Sequence, residues 1–396
     1  MSSVVSFVLD GALVNVELGR ATGYSPTTTV LNYLRSLPTH KGVKEGCAEG
    51  DCGACTVVVG DPDRDGKMHY RAVDSCLLFL PALHGRHLVT VENLKSANGQ
   101  LHPVQQALVE TNGSQCGFCT PGIVMSMFAL YKNNPHPTRP DIDDALTGNL
   151  CRCTGYKPII EATAASCVHN GIDELTPTEP AIAALLTPLR EKSLQLKTDR
   201  QEYYRPVTIA EALALQKKFP RAVIIGGATD IALRVTKKHE IIPVIIDLSE
   251  IAELRELHEE PGALRIGAGV TLSELARKLP PEFTALKEML LVFGSLQIRN
   301  VATVGGNLGT ASPIGDTLPV LMAFGAKVIL QNATAVREVA LDSYFTGYRQ
   351  TARKADELIV GILLARPRPR AIVKSYKVSK RKDLDISTVS GGFKVE

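Results

Sequence analysis

The sequence predicts a multidomain α+β chain, and three changes of pattern predict it. Residues 1–92 are short β-rich runs around one helical segment. Residues 93–170 hold four short helical patterns, and from residue 204 onward strands and helices alternate. A length of 396 residues suits two to four domains, each able to bury a core. Hydrophobic residues are 44% and charged residues 21%, the composition of a soluble globular chain. The net charge of +3 gives no electrostatic reason to expect nucleic acid or an anionic membrane as partner. No apolar run approaches the ~18 residues of a spanning helix. The opening MSSVVSFVLDGALVNVELG alternates and carries Asp10 and Glu17, so it reads as strand, turn and strand and not as a signal peptide.

Within residues 1–92, FVLD, ALVNVEL, CTVVVG, MHYRAVDSCLLFL and HLVTVENL read as strands, and VLNYLRSL as a helix closed by Pro38. Within 93–170, Pro103 opens PVQQALVETN and Pro121 opens PGIVMSMFALYKNN. Asp141 and Asp144 can cap DIDDALTGN, and Pro158 opens IIEATAASCVHNG, expected to end at Gly171. Four such helices suggest a small bundle. Residues 171–203 read as an interdomain connection with one helix, AIAALLTPLREKSLQLK. Beyond it, AVIIGG and VIIDLS read as buried strands and TIAEALALQKKFP as an amphipathic helix.

Nine cysteines in a chain with no export signal argue for metal or redox chemistry rather than disulfides. Eight fall into two groups. The first is Cys47-x4-Cys52-x2-Cys55 with Cys76 further on, the plant-type [2Fe–2S] spacing. A two-iron cluster needs four thiolates converging from more than one direction. A tight loop supplies three here and a later strand the fourth. Gly46, Gly50 and Gly53 let the loop bend and turn backbone N–H groups toward the sulfurs. Structural zinc, the competing reading, usually shows paired short spacings. The second group is Cys116-x2-Cys119 in QCGFCTPG and Cys151-x-Cys153 in LCRCTGY. A thioredoxin-type dithiol should follow a buried strand, and this one follows a helical pattern. Zinc stays open, although C-x-C is unusual for it. Both pairs precede expected helix N-termini, at Pro121 and Pro158, which favours an anionic thiolate cluster.

Together, C-x4-C-x2-C…C, QCGFCTPG and NLCRCTGY resemble the iron–sulfur region of the molybdenum hydroxylases, the xanthine dehydrogenase family. The resemblance runs from near the start to about Tyr156. It implies a [2Fe–2S] cluster in each group: one in a β-grasp, ferredoxin-like domain (1–92), the other in a four-helix domain (93–170). It also implies that Gln115 lies next to the molybdopterin of a partner.

Two later stretches carry glycines after strands. VIIGGATDIAL (223–233) is not the GxGxxG fingerprint, yet its glycines and Thr229 can present N–H groups to a diphosphate. FGSLQIRNVATVGGNLGTASPIGD (293–316) has the composition of a long binding loop. It resembles the FAD-binding segment of the same family. By position, the resemblance implies Phe293 near the isoalloxazine ring. It implies Ala302, Thr303, Gly306, Asn307 and Asp316 at the diphosphate, sugar or ring edge. Ile225, Gly226, Gly227, Ala228, Thr229 and Asp230 match the other phosphate loop, and Ile359 and Lys377 a ring-packing strand and a lysine beside the flavin. Gly309 stands where the family often has a larger apolar residue. The implied fold of 204–370 is an α+β FAD-binding domain of the vanillyl-alcohol-oxidase (PCMH-like) type. Residues 371–396 match only the start of the family's C-terminal subdomain, a truncation that implies an uncovered sheet edge, an uncovered flank of the flavin site and weak flavin retention.

The implied function is electron transfer within a split molybdenum hydroxylase, most closely the small subunit of a xanthine dehydrogenase. The catalytic step, hypoxanthine and xanthine to urate, would sit on a molybdopterin-binding large subunit, with no catalytic residue in this chain. Electrons would pass through the second cysteine group, then the first, to FAD and on to NAD. A cytoplasmic heterotetramer of two small and two large chains is expected. The alternatives are the same relay for an aldehyde, nicotinate or another heterocycle, and an NADH-linked iron–sulfur flavoprotein without a molybdenum partner. Several signals read as structural. DPDRDGKMHYRA imitates a calcium loop but lacks the final Glu and reads as a hairpin turn. His84, His87, His102 and His136 read as solvated or capping, Cys167 as a small buried apolar residue, and Met125 and Met127 as bundle core. The basic stretch 377–382 reads as a solvated turn.

Overall fold

The computed structural model describes residues 3–63, 65–96, 98–167 and 171–396. By internal contacts it divides into two units. The first comprises Met1–Glu202, Ile231–Ile242 and Leu296–Ile298; the second comprises Tyr203–Asp230, Pro243–Ser295 and Arg299–Glu396.

The first unit begins with the expected hairpin, β1 (Val4–Leu9) and β2 (Ala12–Glu17), closed by Asp10-Gly11 with φ of 49° and 88°. Both residues take the positive φ that a tight two-residue turn demands. Three further strands, β3 (Thr56–Pro62), β4 (Met68–Asp74) and β5 (His87–Val89), complete a sheet of order β2-β1-β5-β3-β4. Helix α1 (Val30–Ser36) buries Val30, Leu31, Tyr33 and Leu34, and the Thr29 hydroxyl caps it by accepting from the Asn32 amide. The calcium-like stretch is the β3–β4 hairpin, with Pro62 opposite Met68; Arg64 in it lies outside the described residues. Two strand expectations end early. MHYRAVDSCLLFL is strand only to Asp74 and becomes a 3-10 turn at Leu80–Leu83, where Pro81 cannot donate to a ladder. HLVTVENL turns into 3-10 at Val91–Asn93.

The four expected helices form: α2 (Pro103–Glu110), α3 (Thr120–Asn133), α4 (Arg139–Leu146) and α5 (Lys157–Ser166). Helix α5 stops short of Gly171, and residues 168–170 lie outside the described ones. The cap of α4 is Thr138, with Asp141 returning a bond to the Thr138 amide; Asp144 does not cap. His102 does cap α2, and its Nε2 reaches Asp173 at 3.3 Å. His87 is neither solvated nor a cap: strand β5 turns its ring into the core, with 0% exposure. Sheet and helices share one apolar cluster, in which Val8, Val58 and Tyr70 join Ile123, Met125, Met127, Phe128 and Cys167. The segment read as a connection contributes to that cluster through Ile182, Ala183 and Leu186 of the helix Glu179–Arg190. That helix is shorter than expected, because SLQLK forms the strand Leu194–Lys197.

In the second unit, five antiparallel strands lie in the order Leu257–Glu260, Ala263–Gly267, Leu358–Ala365, Lys327–Gln331 and Val336–Ala340. Val223–Ile225 runs parallel to Val244–Asp247 in a smaller sheet. The helix Ile209–Lys218 is capped by Thr208 and buries Ala212 and Leu213 against Ile246 and Leu248. The final residues form a hairpin, Ile372–Val378 with Val389–Val395. Among the described residues no helix is long and apolar enough to cross a membrane.

Candidate iron–sulfur and flavin sites

The register of one hairpin explains half of the first cysteine group. Thr56 pairs with Asp74, so Cys55, just before β3, and Cys76, just after β4, meet at the end of that ladder. The Ser75 hydroxyl fixes the junction by donating to the Cys55 carbonyl at 2.7 Å. Cys47 and Cys52 come from the loop before β3, which turns at Ala48, Gly50 and Gly53 with φ of 54°, 78° and 68°. A Cβ at Gly46 would lie 2.7 Å from the Cys52 sulfur, so only glycine leaves that thiol room. The amides of Glu49 and Asp51 donate to the Cys47 sulfur at 3.4 and 3.3 Å.

The second group is placed by two helix starts. Cys116 and Cys119 precede α3, and Cys151 and Cys153 precede α5, each helix with proline in its first turn. Tyr156 takes φ of 67° and its hydroxyl accepts from the Cys151 amide at 2.9 Å, folding the LCRCTGY loop back on itself. The Thr154 hydroxyl lies 3.2 Å from the Cys151 sulfur, and the sulfurs of Cys116 and Cys153 are 3.6 Å apart.

The thiols are therefore arranged in pairs: Cys47 with Cys52, Cys55 with Cys76, Cys116 with Cys153 and Cys119 with Cys151. Within three of these pairs the protons divide unequally. The Cys52 hydrogen bond and the loop amides push the Cys47 thiol down to about 5, while the same bond and burial push Cys52 up. The Phe118 amide and Cys153 lower Cys116, and Cys153 rises through its bond to Cys116. Burial, then Cys151, raise Cys119 to about 12. No three His, Cys, Asp or Glu side chains among the described residues are grouped to hold a single metal ion. Mononuclear zinc needs four ligands around one point, whereas a [2Fe–2S] cluster takes two thiolates on each of two irons. The paired thiols fit the second demand. Gln115, beside Cys116, is exposed.

The flavin candidates gather in two neighbourhoods of the second unit. In one, a side chain at Gly226 would lie 2.7 Å from the Thr303 hydroxyl, and one at Gly227 would overlap the Val301 carbonyl. The turn 225–230 thus rests on 301–303, and Ala228 takes φ of 59° to make it. This brings Ile225, Gly226, Gly227, Ala228, Thr229 and Asp230 to the segment holding Ala302, Thr303, Gly306 and Asn307. Two turns brought this close, with glycine at 226 and 227 where a Cβ would clash, suit a group recognised by backbone N–H. The stretch 293–316 is not a long loop. It forms the helices Leu296–Arg299 and Val304–Thr310, because Thr303 caps the second by accepting from the Gly306 amide at 3.0 Å. Gly309 faces Ile359, whose Cδ1 would stand 3.5 Å from an added Cβ, an ordinary contact. In the other neighbourhood, Lys377 pairs with Asp316 at 3.0 Å and donates to the Val292 carbonyl at 2.9 Å, beside Phe293. Ser387 donates to the same Asp316 carboxylate. Lys377 is thus buried and paired, not part of a solvated turn.

The sequence reading missed Asn149, Ser126 and Gln297. They form a buried amide–hydroxyl network between the cysteine loops. The available signal was Ser126, a lone polar residue inside the apolar run GIVMSMFAL.

Residues 196–367 match the FAD binding domain in molybdopterin dehydrogenase, and residues 90–164 match a [2Fe-2S] binding domain. Xanthine dehydrogenase of Drosophila pseudoobscura pseudoobscura is 36% identical over 437 residues, covering 96% of this chain and 32% of its own. Xanthine dehydrogenase/oxidase of Gallus gallus is 34% identical over 442 residues, covering 93% of this chain and 32% of its own. The chain spans about a third of the length of these relatives. A crystal structure of Cu,Mo-CO dehydrogenase is similar at a TM-score of 0.45 and 27% identity, covering 48% of this chain and 67% of that one. The two domain matches and the xanthine dehydrogenase relatives define an electron-transfer module with [2Fe–2S]-binding and FAD-binding domains. The chain belongs to the iron–sulfur/FAD part of the molybdenum hydroxylase family, with xanthine dehydrogenases as relatives over nearly its whole length.

Proposed function

We propose that this chain serves a xanthine dehydrogenase, accepting electrons from a molybdopterin centre on a partner large subunit and delivering them to NAD. The observation that carries the reading is 36% identity to a xanthine dehydrogenase over 96% of the chain, with both cysteine groups paired as two-iron sites require. Residues 1–92 and 93–170 each hold one cluster, on Cys47, Cys52, Cys55 and Cys76 and on Cys116, Cys119, Cys151 and Cys153. Residues 171–203 connect them to the FAD-binding region, 204–370, and 371–396, a hairpin, are the start of the family's C-terminal subdomain. When bound, the clusters and FAD supply one-electron transfer and its conversion to the two-electron chemistry that NAD requires. The chain's own residues set the conditions. The Glu49 and Asp51 amides hold negative charge on the Cys47 sulfur, and the Thr154 hydroxyl and the Tyr156 hydroxyl fix the Cys151 loop. The turns 225–230 and 302–307 would hold the flavin's diphosphate side, and Phe293, Asp316, Ile359 and Lys377 would hold its ring side. Gln115, exposed beside Cys116, faces the partner. A cytoplasmic assembly of two small and two large chains completes the proposal.

The Cys116→Ser variant tests it. Xanthine-driven flavin reduction should be lost while NADH-driven flavin reduction persists. Loss of both in a folded protein would overturn the order of the relay.

A further inference from the structure

We propose that Gln297 is a positioning residue for the cluster pair: its buried amide locks the two cysteine loops together. The side chain is 0% exposed. Its Nε2 donates to the Ser126 hydroxyl of α3 and to Asn149 Oδ1, both at 2.9 Å. Ser126 donates to the same Asn149 oxygen at 2.6 Å. Asn149 in turn donates from Nδ2 to the Gly53 carbonyl and the Thr56 hydroxyl, both at 3.1 Å. Gly53 lies between Cys52 and Cys55, and Asn149 lies two residues before Cys151. One step further along, the Leu150 amide donates to the Cys52 carbonyl at 3.0 Å. The amide group of Gln297 is thus the outer clamp on the bond set that joins one loop to the other.

One observation makes the polarity of Gln297 purposeful. Its Oε1 is buried without a partner among the described residues, an arrangement that costs stability. An apolar residue would avoid that cost, so the residue's value lies in the bonds its NH2 makes. The neighbour Ile298 reaches the first cysteine loop as well: its Cδ1 would stand 2.8 Å from a Cβ on Gly50. Distance and orientation between redox centres are what the protein contributes to a relay, and Gln297 with Asn149 sets them here.

The proposal rests on both cysteine groups holding clusters, which iron and sulfide content of the wild-type protein tests separately. The experiment compares the purified, cluster-loaded wild type with Gln297→Leu. Amide hydrogen exchange at Thr56 and Leu150 should quicken at least tenfold, and the reduction potentials of both clusters should shift, with iron and sulfide content unchanged. A general loss of stability would quicken exchange throughout and leave the potentials in place. Where Gln297→Leu does not accumulate, Ser126→Ala removes one of the two acceptors and gives the same reading. Wild-type exchange at both amides with unchanged potentials, in either variant, overturns the proposal.

Discussion

His87 shows what burial does to a single titratable side chain. Burial, and then the charge of Lys132, push its imidazole down to about 4. The folded protein resists protonating it, while the unfolded chain takes the proton at the usual ~6.5. Its contribution is therefore whole above about pH 6.5 and is lost as pH falls toward 4. By pH 5 the loss is about 2 kcal/mol. Thermal melts at pH 7 and pH 5 check this: His87→Gln should show a smaller drop in melting temperature than wild type. The ion pair of Lys377 with Asp316 gives a second case. Both side chains are 5% exposed, and removing one partner leaves a buried charge unpaired. Lys377→Ala should cost about 3–5 kcal/mol. Limited proteolysis reads it directly, because Lys377 and Ser387 both tie the closing hairpin to Asp316, and that hairpin should be cut first.

At the scale of elements, helix α3 approaches the first cysteine loop so closely that a Cβ at Gly122 would overlap the Gly53 carbonyl. Gly122→Ala must shift either the helix or the loop, at a cost of about 1–3 kcal/mol. A lowered melting temperature with reduced iron content checks the expectation. Elements with a strong local signal were legible in the sequence. Helix α3 has Pro121 in its first turn, and the Asp10-Gly11 hairpin has the residues its turn demands. Elements decided by a cap or by distant packing were not. SLQLK continues a helical composition yet forms a strand, and the glycine-rich run after Phe293 reads as loop until Thr303 caps its second helix. The cysteine groups stand out because metal ligation fixes residue type and spacing together. The network of Gln297 with Asn149 does not, because its members lie 148 residues apart.

For the whole molecule, the cysteines and the flavin segments are separate demands that one chain meets in two compact units. The first unit spends its sheet and its helices on bringing thiols together in pairs. The second sets two backbone turns together and carries a hairpin tied to Asp316 by Lys377 and Ser387 and to the Ala285 carbonyl by Ser375. The measurement that tests this account most directly is the iron, acid-labile sulfide and flavin content of the protein purified without oxygen. The account predicts iron and sulfide for two [2Fe–2S] clusters per chain, with FAD present but weakly retained, in a coloured protein. A colourless protein holding zinc at the cysteines and no flavin would contradict it.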